Sequence, residues 1–253
     1  MRFAIIAAGE GSRLKDEGIA VPKPLVGIGG ERLIDRLLRI FVDNGADDIV
    51  VICNDRSPLV ADRLRSVQRS GLCGRAVPLR FIVGSTPSSM HSLYAMSYML
   101  AGEPFVLTTV DTVFDEGEFS RYVAAFRRSA DCLMGVTDYV DDEKPLYVGV
   151  DDDMTVTGYY DSAPGATRRG RFQSRPFGPY VSAGIYGLQP SALAVLERCI
   201  RRGEARMRNF QRALLREGET LRAFAFSHVF DIDHASDITK AERRVALREE
   251  LPT

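Results

Sequence analysis

A glycine-rich segment near the beginning of the sequence combines residue types that can bind a chain of phosphates. Lys23 follows the last residue of this segment, Arg13, by ten positions and stands between two prolines. Gly9 and Gly11 permit positive φ angles and a close approach of the backbone, so consecutive N–H groups can curl around phosphates. Arg13 offers a bidentate phosphate contact, and Lys23 offers a point charge where negative charge accumulates. The predicted nucleotide-binding residues of the segment are Ala7, Ala8, Gly9, Glu10, Gly11 and Ser12.

Two other phosphate-binding signatures fit this segment less well. A dinucleotide-binding loop needs a third glycine, and Leu14 stands at that position. A P-loop is excluded because no Gly-Lys-Ser/Thr follows the glycines. A nicotinamide-dependent oxidoreductase stays open as an alternative, since Asp55 is available to bind a ribose hydroxyl. That alternative leaves Lys23 and the later Asp111 without a role.

A second polar segment, residues 86–92, predicts a site for the nucleotide base. It is rich in hydroxyl side chains, contains a proline and opens a helical pattern. Hydroxyls and unpaired N–H groups at the start of a helix can bind the edge of a pyrimidine. Pro87, Ser88 and Ser89 are therefore candidate nucleotide-binding residues, with an ordinary helix cap as the alternative. His91 in the same segment is explained equally well by a structural role.

Alternating strands and helices must position these residues. The hydrophobic pattern predicts strands at 2–7, 48–53, 79–83 and 105–110, each followed by a helix, at 32–42, 57–70, 89–100 and 117–129. Four such units predict a three-layer α/β/α architecture with a mostly parallel sheet and right-handed crossovers. Ligands bind beyond the carboxyl ends of the strands in such sheets. Gly9 and Asp111 lie at those ends.

The pattern changes at about residue 131. Strands are predicted at 132–137, 146–150, 155–159, 180–188 and 221–226, and helices at 191–201, 209–217 and 236–249. Residues 161–179 show no periodicity, which indicates a functional or mobile loop. Four arginines in this loop could fold over an anionic acceptor, although a solvated loop is the preferred interpretation: Arg168, Arg169, Arg171 and Arg175. We treat 1–253 as one domain with two halves, 1–130 and 131–253, which the family resemblance described next assigns to the NTP and to the acceptor.

Taken together, the opening motif and Pro22-Lys23-Pro24-Leu25 resemble the sugar-phosphate nucleotidyltransferases, which include the NDP-sugar pyrophosphorylases and the phosphocholine cytidylyltransferases. The resemblance continues in order along the chain. It includes Val110-Asp111, the pair of segments 145–150 and 156–158, Ser182-Ala183-Gly184-Ile185-Tyr186, and the segment 231–237, which begins Asp231-Ile232-Asp233.

This resemblance implies a Rossmann-like fold of the GT-A type, with a smaller acceptor-side β region. It implies transfer of a nucleoside monophosphate from an NTP to a phosphorylated acceptor, with a sugar 1-phosphate as the first expectation, and with Mg²⁺ as cofactor. The resemblance assigns Arg13 and Lys23 to catalysis and Asp111 and Asp233 to the metal, with Asp231 left open as a competitor. The acceptor-binding residues that it implies are Gly149, Ser182 and Gly184.

Two departures from the family pattern leave the acceptor open. Tyr159-Tyr160-Asp161 stands where many relatives have Glu-Lys-Pro, and Ser182 replaces an asparagine. The alternative is a CTP-dependent cytidylyltransferase for phosphocholine or a phosphorylated polyol. A non-catalytic nucleotide sensor is disfavoured because the metal-binding carboxylates are retained. His228 and His234 are given no catalytic role, because the acceptor phosphate is already a nucleophile, and Asp237 is interpreted as a carboxylate at a helix start.

Charge and cysteine content restrict the partners. The chain has 253 residues, with 33 lysines and arginines against 34 aspartates and glutamates, so its formal net charge is −1. We expect no nucleic acid and no membrane among its partners, because a near-neutral chain offers no general attraction to polyanions. Four scattered cysteines and the lack of a leader-like segment favour the cytoplasm. A homo-oligomer is possible on the sequence alone.

Overall fold

The computed structural model describes residues 1–140, 144–163 and 180–249, with backbone only for 245–249. The arginines of the predicted loop, Arg168, Arg169, Arg171 and Arg175, lie outside the described residues. No helix in the described ranges is long and apolar enough to cross a membrane.

The strands are β1 (Arg2–Ala7), β2 (Gly27–Ile28), β3 (Glu31–Arg32), β4 (Asp48–Cys53), β5 (Leu79–Val83), β6 (Phe105–Thr109), β7 (Thr112–Phe114), β8 (Cys132–Thr137), β9 (Tyr147–Val150), β10 (Val156–Tyr160), β11 (Tyr180–Leu188), β12 (Leu221–Phe226) and β13 (Val229–Asp231). The helices are α1 (Ser12–Asp16), α2 (Leu33–Asp43), α3 (Pro58–Ser70), α4 (Ser89–Leu100), α5 (Glu116–Phe126), α6 (Ser191–Arg201), α7 (Met207–Arg216) and α8 (Ala235–Glu249), with a 3₁₀ turn at Lys23–Leu25.

A mixed sheet runs through the middle of the described structure in the order β10-β9-β11-β6-β1-β4-β5, and β8 joins it by pairing with β11 and β12. The pairs β6-β1, β1-β4 and β4-β5 are parallel, whereas β11 runs antiparallel to β6. In this register Ala7 lies beside Cys53, and Ile6 lies beside Thr109. The segments that follow β1, β4 and β6 therefore leave the sheet side by side.

The two faces of β1 contact different hydrophobic clusters. Phe3 and Ile5 are fully buried in a cluster with residues of α2, α3 and α5. Ala4 and Ile6 face the other way, toward residues of α4, α6 and α7. Strand side chains alternate between faces, so a continuously apolar strand is buried on both sides. The fold is thus the predicted three-layer arrangement, and the prediction of a mostly parallel central sheet is confirmed.

Several short elements were not predicted from the sequence. They are α1, the 3₁₀ turn, the β2–β3 hairpin, and the two-stranded pair β7–β13. Each contains two to five residues, which is too few for a hydrophobic period to be recognised. The β7–β13 pair matters most for the site, because it places Asp231 opposite Thr112 in an antiparallel register.

Candidate active site

The loop between β1 and α1 begins the site. Gly11 has a φ of 61° and precedes α1, and a Cβ at this position would lie 3.1 Å from Lys23 Cβ. Glycine at position 11 therefore allows the backbone of Lys23 to pass close by. Gly9 lies outside the positive-φ region, and an added Cβ would meet nothing within 4 Å. Both glycines permit a positive φ, and of the two Gly11 adopts it, because the turn into α1 is made at position 11.

Lys23 lies at the centre of the site. Its side chain is only 9% exposed, and Nζ donates to Asp111 Oδ2 at 2.5 Å and to Asp233 Oδ1 at 2.7 Å. Burial disfavours the charged ammonium, but the two carboxylates outweigh that cost, and the pKa of Lys23 is raised. Asp111 follows β6 and Asp233 follows β13, so two distant segments meet at one lysine.

Arg13 lies on the side of Asp233. Its Nη1 donates to Asp233 Oδ2 at 3.0 Å, and the side chain remains half exposed. Asp233 thus contacts both predicted cationic residues through its two carboxylate oxygens. The predicted phosphate contacts of Arg13 and Lys23 stay predictions.

Two cavities flank this ion cluster. We call the one beside Asp111 the first cavity; its volume is about 360 Å³. We call the one beside Asp233 the second cavity; its volume is about 270 Å³. Lys23 lines the first cavity, and Arg13 lines the second. Since Lys23 contacts both aspartates, its ammonium stands where the two cavities approach each other.

The first cavity contains most of the predicted nucleotide-binding residues. Its lining includes Ala8, Gly9, Glu10, Gly11, Pro87, Ser88 and Ser89. Ala7 is buried at the end of β1 and Ser12 begins α1; neither is among the described lining residues.

The helix-cap interpretation of residues 86–92 also holds. Ser88 precedes α4, and its Oγ accepts from the His91 N–H at 3.5 Å and lies 2.9 Å from His91 Nδ1. Ser88 therefore has a structural role and faces the first cavity as well. His91 holds the cap through its ring nitrogen.

The first cavity also contains residues that the sequence analysis did not select. Thr109, Ser85 and Arg56 line it. Asn54, immediately after β4, donates from Nδ2 to the Gly9 carbonyl at 3.1 Å and so holds the glycine-rich loop in place. The sequence could have indicated these residues, because side chains that follow neighbouring parallel strands gather at one edge of the sheet.

The second cavity combines the end of β8, the start of β11 and strand β13 with the start of α8. Its lining residues are Arg13, Thr137, Tyr139, Val181, Ser182, Ala183, Val229, Phe230, Asp231, Asp233, His234, Ser236, Asp237 and Lys240. Ser182 is one of the predicted acceptor-binding residues, and its Oγ donates to Gln211 Oε1 at 3.2 Å.

The two predicted acceptor glycines have packing roles. Gly184 has a φ of +69°, and a Cβ there would lie 3.1 Å from Thr112 Oγ1. A Cβ at Gly149 would lie 3.0 Å from Thr157 Oγ1, across the β9–β10 hairpin. Neither glycine is among the described residues that line the two cavities. In this structure both glycines allow close packing of neighbouring strands, and neither lines the first or the second cavity.

Asp231 and Asp233 have different surroundings. Asp231 Oδ1 accepts from Thr112 Oγ1 at 3.0 Å, whereas Asp233 contacts Lys23 and Arg13. The pKa of Asp231 is raised, first because its carboxylate loses hydration in the cleft and second because Asp111 is negatively charged. The rest of the residue keeps exposed surface. Of the two, it is Asp233 that shares an ammonium with Asp111.

Two further carboxylates hold the backbone around Asp233. Asp237 Oδ2 accepts from the N–H groups of Asp233 at 3.1 Å and His234 at 2.8 Å, which is one of the two bonds of a capping box at the start of α8, extended to Asp233. Glu17, just after α1, accepts from the Ala235 N–H at 2.6 Å and lies 2.6 Å from His234 Nδ1. Because Arg13 and Glu17 are four residues apart, one short segment contacts the Asp233 region twice. Sequence analysis missed Glu17, since nothing local marks its distant partner.

These carboxylates suit a hard cation. Asp111 and Asp233 present oxygens to one common point, which is the position of Lys23 Nζ. Mg²⁺ is bound in proteins through one or two carboxylates together with substrate phosphates and waters. Within the described ranges no group of three or more His, Cys, Asp or Glu side chains is arranged to hold a metal. Two carboxylates are a donor set that Mg²⁺ would accept if substrate and water oxygens completed its coordination.

Comparison with known proteins gives one family match that covers most of the chain. The family model described as "MobA-like NTP transferase domain" matches residues 3–218. Mannose-1-phosphate guanyltransferase of Aspergillus oryzae is 25% identical over 204 residues, which cover 78% of this chain and 52% of that protein. Glucose-1-phosphate cytidylyltransferase of Salmonella typhimurium is 31% identical over 62 residues, which cover 24% of each. The aligned parts therefore cover about a quarter of the cytidylyltransferase and about half of the guanyltransferase.

A solved structure shares the fold over the whole chain. A putative glucose-1-phosphate thymidylyltransferase from Bacillus anthracis, crystallised with a sucrose, superposes with a TM-score of 0.78. The superposition covers 100% of this chain and 97% of that one, at 17% sequence identity. At this identity the similarity establishes the fold alone.

Proposed function

This chain belongs to the MobA-like NTP transferase domain family, and on that premise we propose that it transfers a nucleoside monophosphate from an NTP to a phosphorylated small molecule and releases pyrophosphate. The family resemblance predicted from the sequence is confirmed. The observation that carries the proposed reaction is the Lys23 ammonium, which contacts Asp111 beside one cavity and Asp233 beside the other. Two substrates and a shared charged centre are what the reaction requires.

The reaction is an in-line displacement at the α-phosphorus of the NTP. A phosphate oxygen of the acceptor forms the new bond to that phosphorus, and the bond from the α-phosphorus to the bridging oxygen of the β-phosphate breaks. Pyrophosphate leaves with the electron pair. The attacking oxygen is already ionised at neutral pH, so the protein needs to supply position and charge stabilisation rather than a general base.

The residues of the first cavity have a clear task in this reaction. Backbone N–H groups of the loop 8–11 and the Lys23 ammonium would hold the triphosphate with its α-phosphorus toward the second cavity. A lysine ammonium is protonated at neutral pH, and in this structure Asp111 and Asp233 raise the pKa of Lys23 further. A fixed positive charge at this position stabilises the negative charge that develops on the equatorial oxygens.

Asp111 and Asp233 are the residues that would hold Mg²⁺. When bound, Mg²⁺ supplies positive charge and a template for the phosphate oxygens. Arg13 contacts Asp233 and lines the second cavity, so it is placed to orient the acceptor phosphate. This differs from the expectation that Arg13 and Lys23 both clamp the nucleotide.

A sugar 1-phosphate is the first acceptor to test. Two relatives carry glucose 1-phosphate and mannose 1-phosphate in their names. The second cavity supports such an acceptor, because cationic and hydroxyl side chains that suit a phosphate and a polyol lie together in it. They are Arg13, Lys240, Thr137, Ser182 and Ser236.

Phosphocholine, or a phosphorylated polyol with CTP as donor, is the second candidate. Its support is the presence of Tyr139 and Phe230 together with Asp231 and Asp237 in the lining of the second cavity. Aromatic faces and carboxylates are the groups that bind a quaternary ammonium.

The experiment is an assay of pyrophosphate release with Mg²⁺. ATP, GTP, CTP, UTP and dTTP are each crossed with glucose 1-phosphate, mannose 1-phosphate, phosphocholine and phosphorylated polyols, with Asp111→Asn protein and EDTA as controls. Release with one pair of substrates, lost in both controls, supports the proposal and names the substrates. NTP binding without release for any acceptor would favour a nucleotide sensor, and absence of NTP binding would refute the proposal.

A further inference from the structure

The first cavity holds an ion pair that the proposed reaction has not used. Arg56, in the loop between β4 and α3, directs Nη2 to Glu10 Oε1 at 2.8 Å. Glu10 belongs to the glycine-rich loop, and both side chains line the first cavity. We propose that Arg56 binds a phosphate of the NTP, and that the Glu10 carboxylate occupies its guanidinium until the nucleotide arrives. This inference rests on the proposed function, since it assigns a residue to the nucleotide site.

The charges around the first cavity support a need for this arginine. Among its described lining residues the cationic side chains are Lys23 and Arg56, and the anionic ones are Glu10 and Asp111. Lys23 is already held between Asp111 and Asp233, and Arg13 lines the other cavity. A triphosphate carries several negative charges and needs cationic or N–H partners when it leaves water. Arg56 contacts one exposed carboxylate, that of Glu10, and this contact is weaker than the two that hold the buried Lys23.

The Glu10–Arg56 pair is easy to exchange. The two side chains are 57% and 62% exposed, and ion pairs with that much solvent contribute little to stability. A phosphate offers the guanidinium more negative charge and two oxygens in a bidentate geometry. A carboxylate has the same fork-like pair of oxygens, so it is the natural stand-in for a phosphate on an arginine. Phosphate is therefore expected to displace Glu10.

The backbone that carries Arg56 is fixed, so its reach is defined. The Arg56 N–H donates to Asn54 Oδ1 at 3.2 Å, and Asn54 Nδ2 donates to the Gly9 carbonyl at 3.1 Å. On the other side Ser85 Oγ donates to Asp55 Oδ1 at 2.5 Å. The loop is thereby tied to the glycine-rich loop and to the base-side segment. Arg56 can change partner by side-chain rotation alone.

Opposite effects of two substitutions distinguish an exchanging contact from a structural ion pair. If the pair only held the loops, Arg56→Ala and Glu10→Gln would break the same contact and affect nucleotide binding alike. If Glu10 competes with phosphate, Arg56→Ala weakens binding and Glu10→Gln strengthens it. We expect the NTP dissociation constant to rise about tenfold in Arg56→Ala and to fall about threefold in Glu10→Gln.

The test is calorimetric titration with Mg²⁺ and without acceptor, using the NTP that binds the wild-type protein most tightly among ATP, GTP, CTP, UTP and dTTP. The corresponding nucleoside and inorganic tripolyphosphate are titrated in parallel. Arg56→Lys keeps the charge without the fork and should fall between wild type and Arg56→Ala. Arg65→Ala is the matched control, because Arg65 forms an exposed ion pair with Asp62 on α3 away from both cavities.

Each outcome decides the inference. Opposite changes for the two variants, present with NTP and tripolyphosphate and absent with the nucleoside, support it. Equal changes, no change, or a loss of nucleoside binding in Arg56→Ala overturn it while the proposed function stands, provided that wild-type protein binds NTP. If wild-type protein binds no NTP, the proposed function fails and this inference fails with it.

Discussion

The first and second cavities are constructed in different ways. The first is formed by segments that follow neighbouring parallel strands, β1, β4 and β6, and by the start of α4. The second joins the end of β8, the start of β11 and strand β13 to α1 and the start of α8, which lie far apart in the sequence. The first cavity therefore depends on local motifs placed by a regular sheet, and the second cavity depends on long-range pairing. Substitutions around the two cavities should therefore differ in their effects on stability, kcat and KM.

The largest effect is expected where both sides share a residue cluster. In Asp111→Asn, Lys23 keeps Asp233 but the neutral amide can no longer attract Mg²⁺ or the ammonium as strongly. We expect kcat to fall by a factor of about 10²–10³ with little change in thermal stability. The measurement is the steady-state rate with the identified substrates, with circular dichroism as the check of folding. A variant within threefold of wild type would contradict the role of Asp111.

The next effect separates two glycines of the same loop. Gly11→Ala places a side chain at a φ of 61° with Cβ 3.1 Å from Lys23 Cβ, so we expect the free energy of unfolding to fall by about 1–2 kcal/mol. Gly9→Ala meets no atom within 4 Å and has no positive φ, so it should leave stability unchanged or raise it by about 0.5 kcal/mol. Urea unfolding of both proteins measures the difference.

If the phosphates pass close to position 9, Gly9→Ala will nevertheless raise KM for the NTP. Stability and KM would then respond to different glycines of one loop. If both variants lost the same free energy of unfolding, the destabilisation would come from adding a side chain anywhere in the loop and not from the positive φ at Gly11.

A third substitution tests the contacts that hold Asp233 from α1. Glu17→Ala removes the acceptor of the Ala235 N–H and the partner of His234. We expect kcat to fall about tenfold, because small displacements of a catalytic group are costly. Glu17→Gln keeps an oxygen for the Ala235 N–H and should recover most of the rate. NTP affinity should be unchanged in both, and the Mg²⁺ concentration for half-maximal rate should rise in Glu17→Ala alone.

A fourth substitution tests long-range packing on the acceptor side. Gly184→Ala combines a φ of +69° with a Cβ that would lie 3.1 Å from Thr112 Oγ1, whereas Gly203 has a φ of +73° and open space around it. Both alanine variants should lose about 1 kcal/mol of stability to backbone strain. Only Gly184→Ala should raise KM for the acceptor, by a few-fold, since Thr112 supports Asp231. Equal acceptor KM values for Gly184→Ala and Gly203→Ala would show that Gly184 does not contribute to acceptor binding.

The smallest effect concerns pH and the Glu17–His234 pair. Hydrogen bonds from Ala235 and His234 lower the pKa of Glu17, and Glu17 raises the pKa of His234. The Glu17 contribution is present above its unfolded pKa and is lost as pH falls through the lowered value. The His234 contribution is present below its unfolded pKa and is lost as pH rises through the raised value.

The pair should therefore stabilise the fold most between about pH 4.5 and 6.5, between the ordinary pKa values of the two groups. The difference in melting temperature between wild type and Glu17→Gln should be largest in this interval and should shrink by pH 8. A difference that does not vary with pH would show that the ion pair does not form in solution.

Much of the fold was predictable because the long elements carry strong periodic signals. The bounds of β1, β4, β5, β8, β11 and α4 agree with the prediction, since each is a run whose apolar residues must be buried. The elements that were missed, such as α1 and the β7–β13 pair, are too short to carry a period. Their formation depends on partners that are distant in sequence.

The sequence by itself determined the family, the parallel sheet and the residues around which the site forms: the glycine-rich loop, Lys23, Asp111 and the Asp231-Ile232-Asp233 segment. Residue types and spacing suffice there, because a strand end followed by glycine or aspartate has few possible surroundings. The tertiary structure alone decided that Asp233 rather than Asp231 meets Lys23, that Arg13 lines the second cavity, and that Arg56 faces Glu10. The physical reason is that these contacts join residues up to 220 positions apart. No local pattern records which distant charge a side chain will meet.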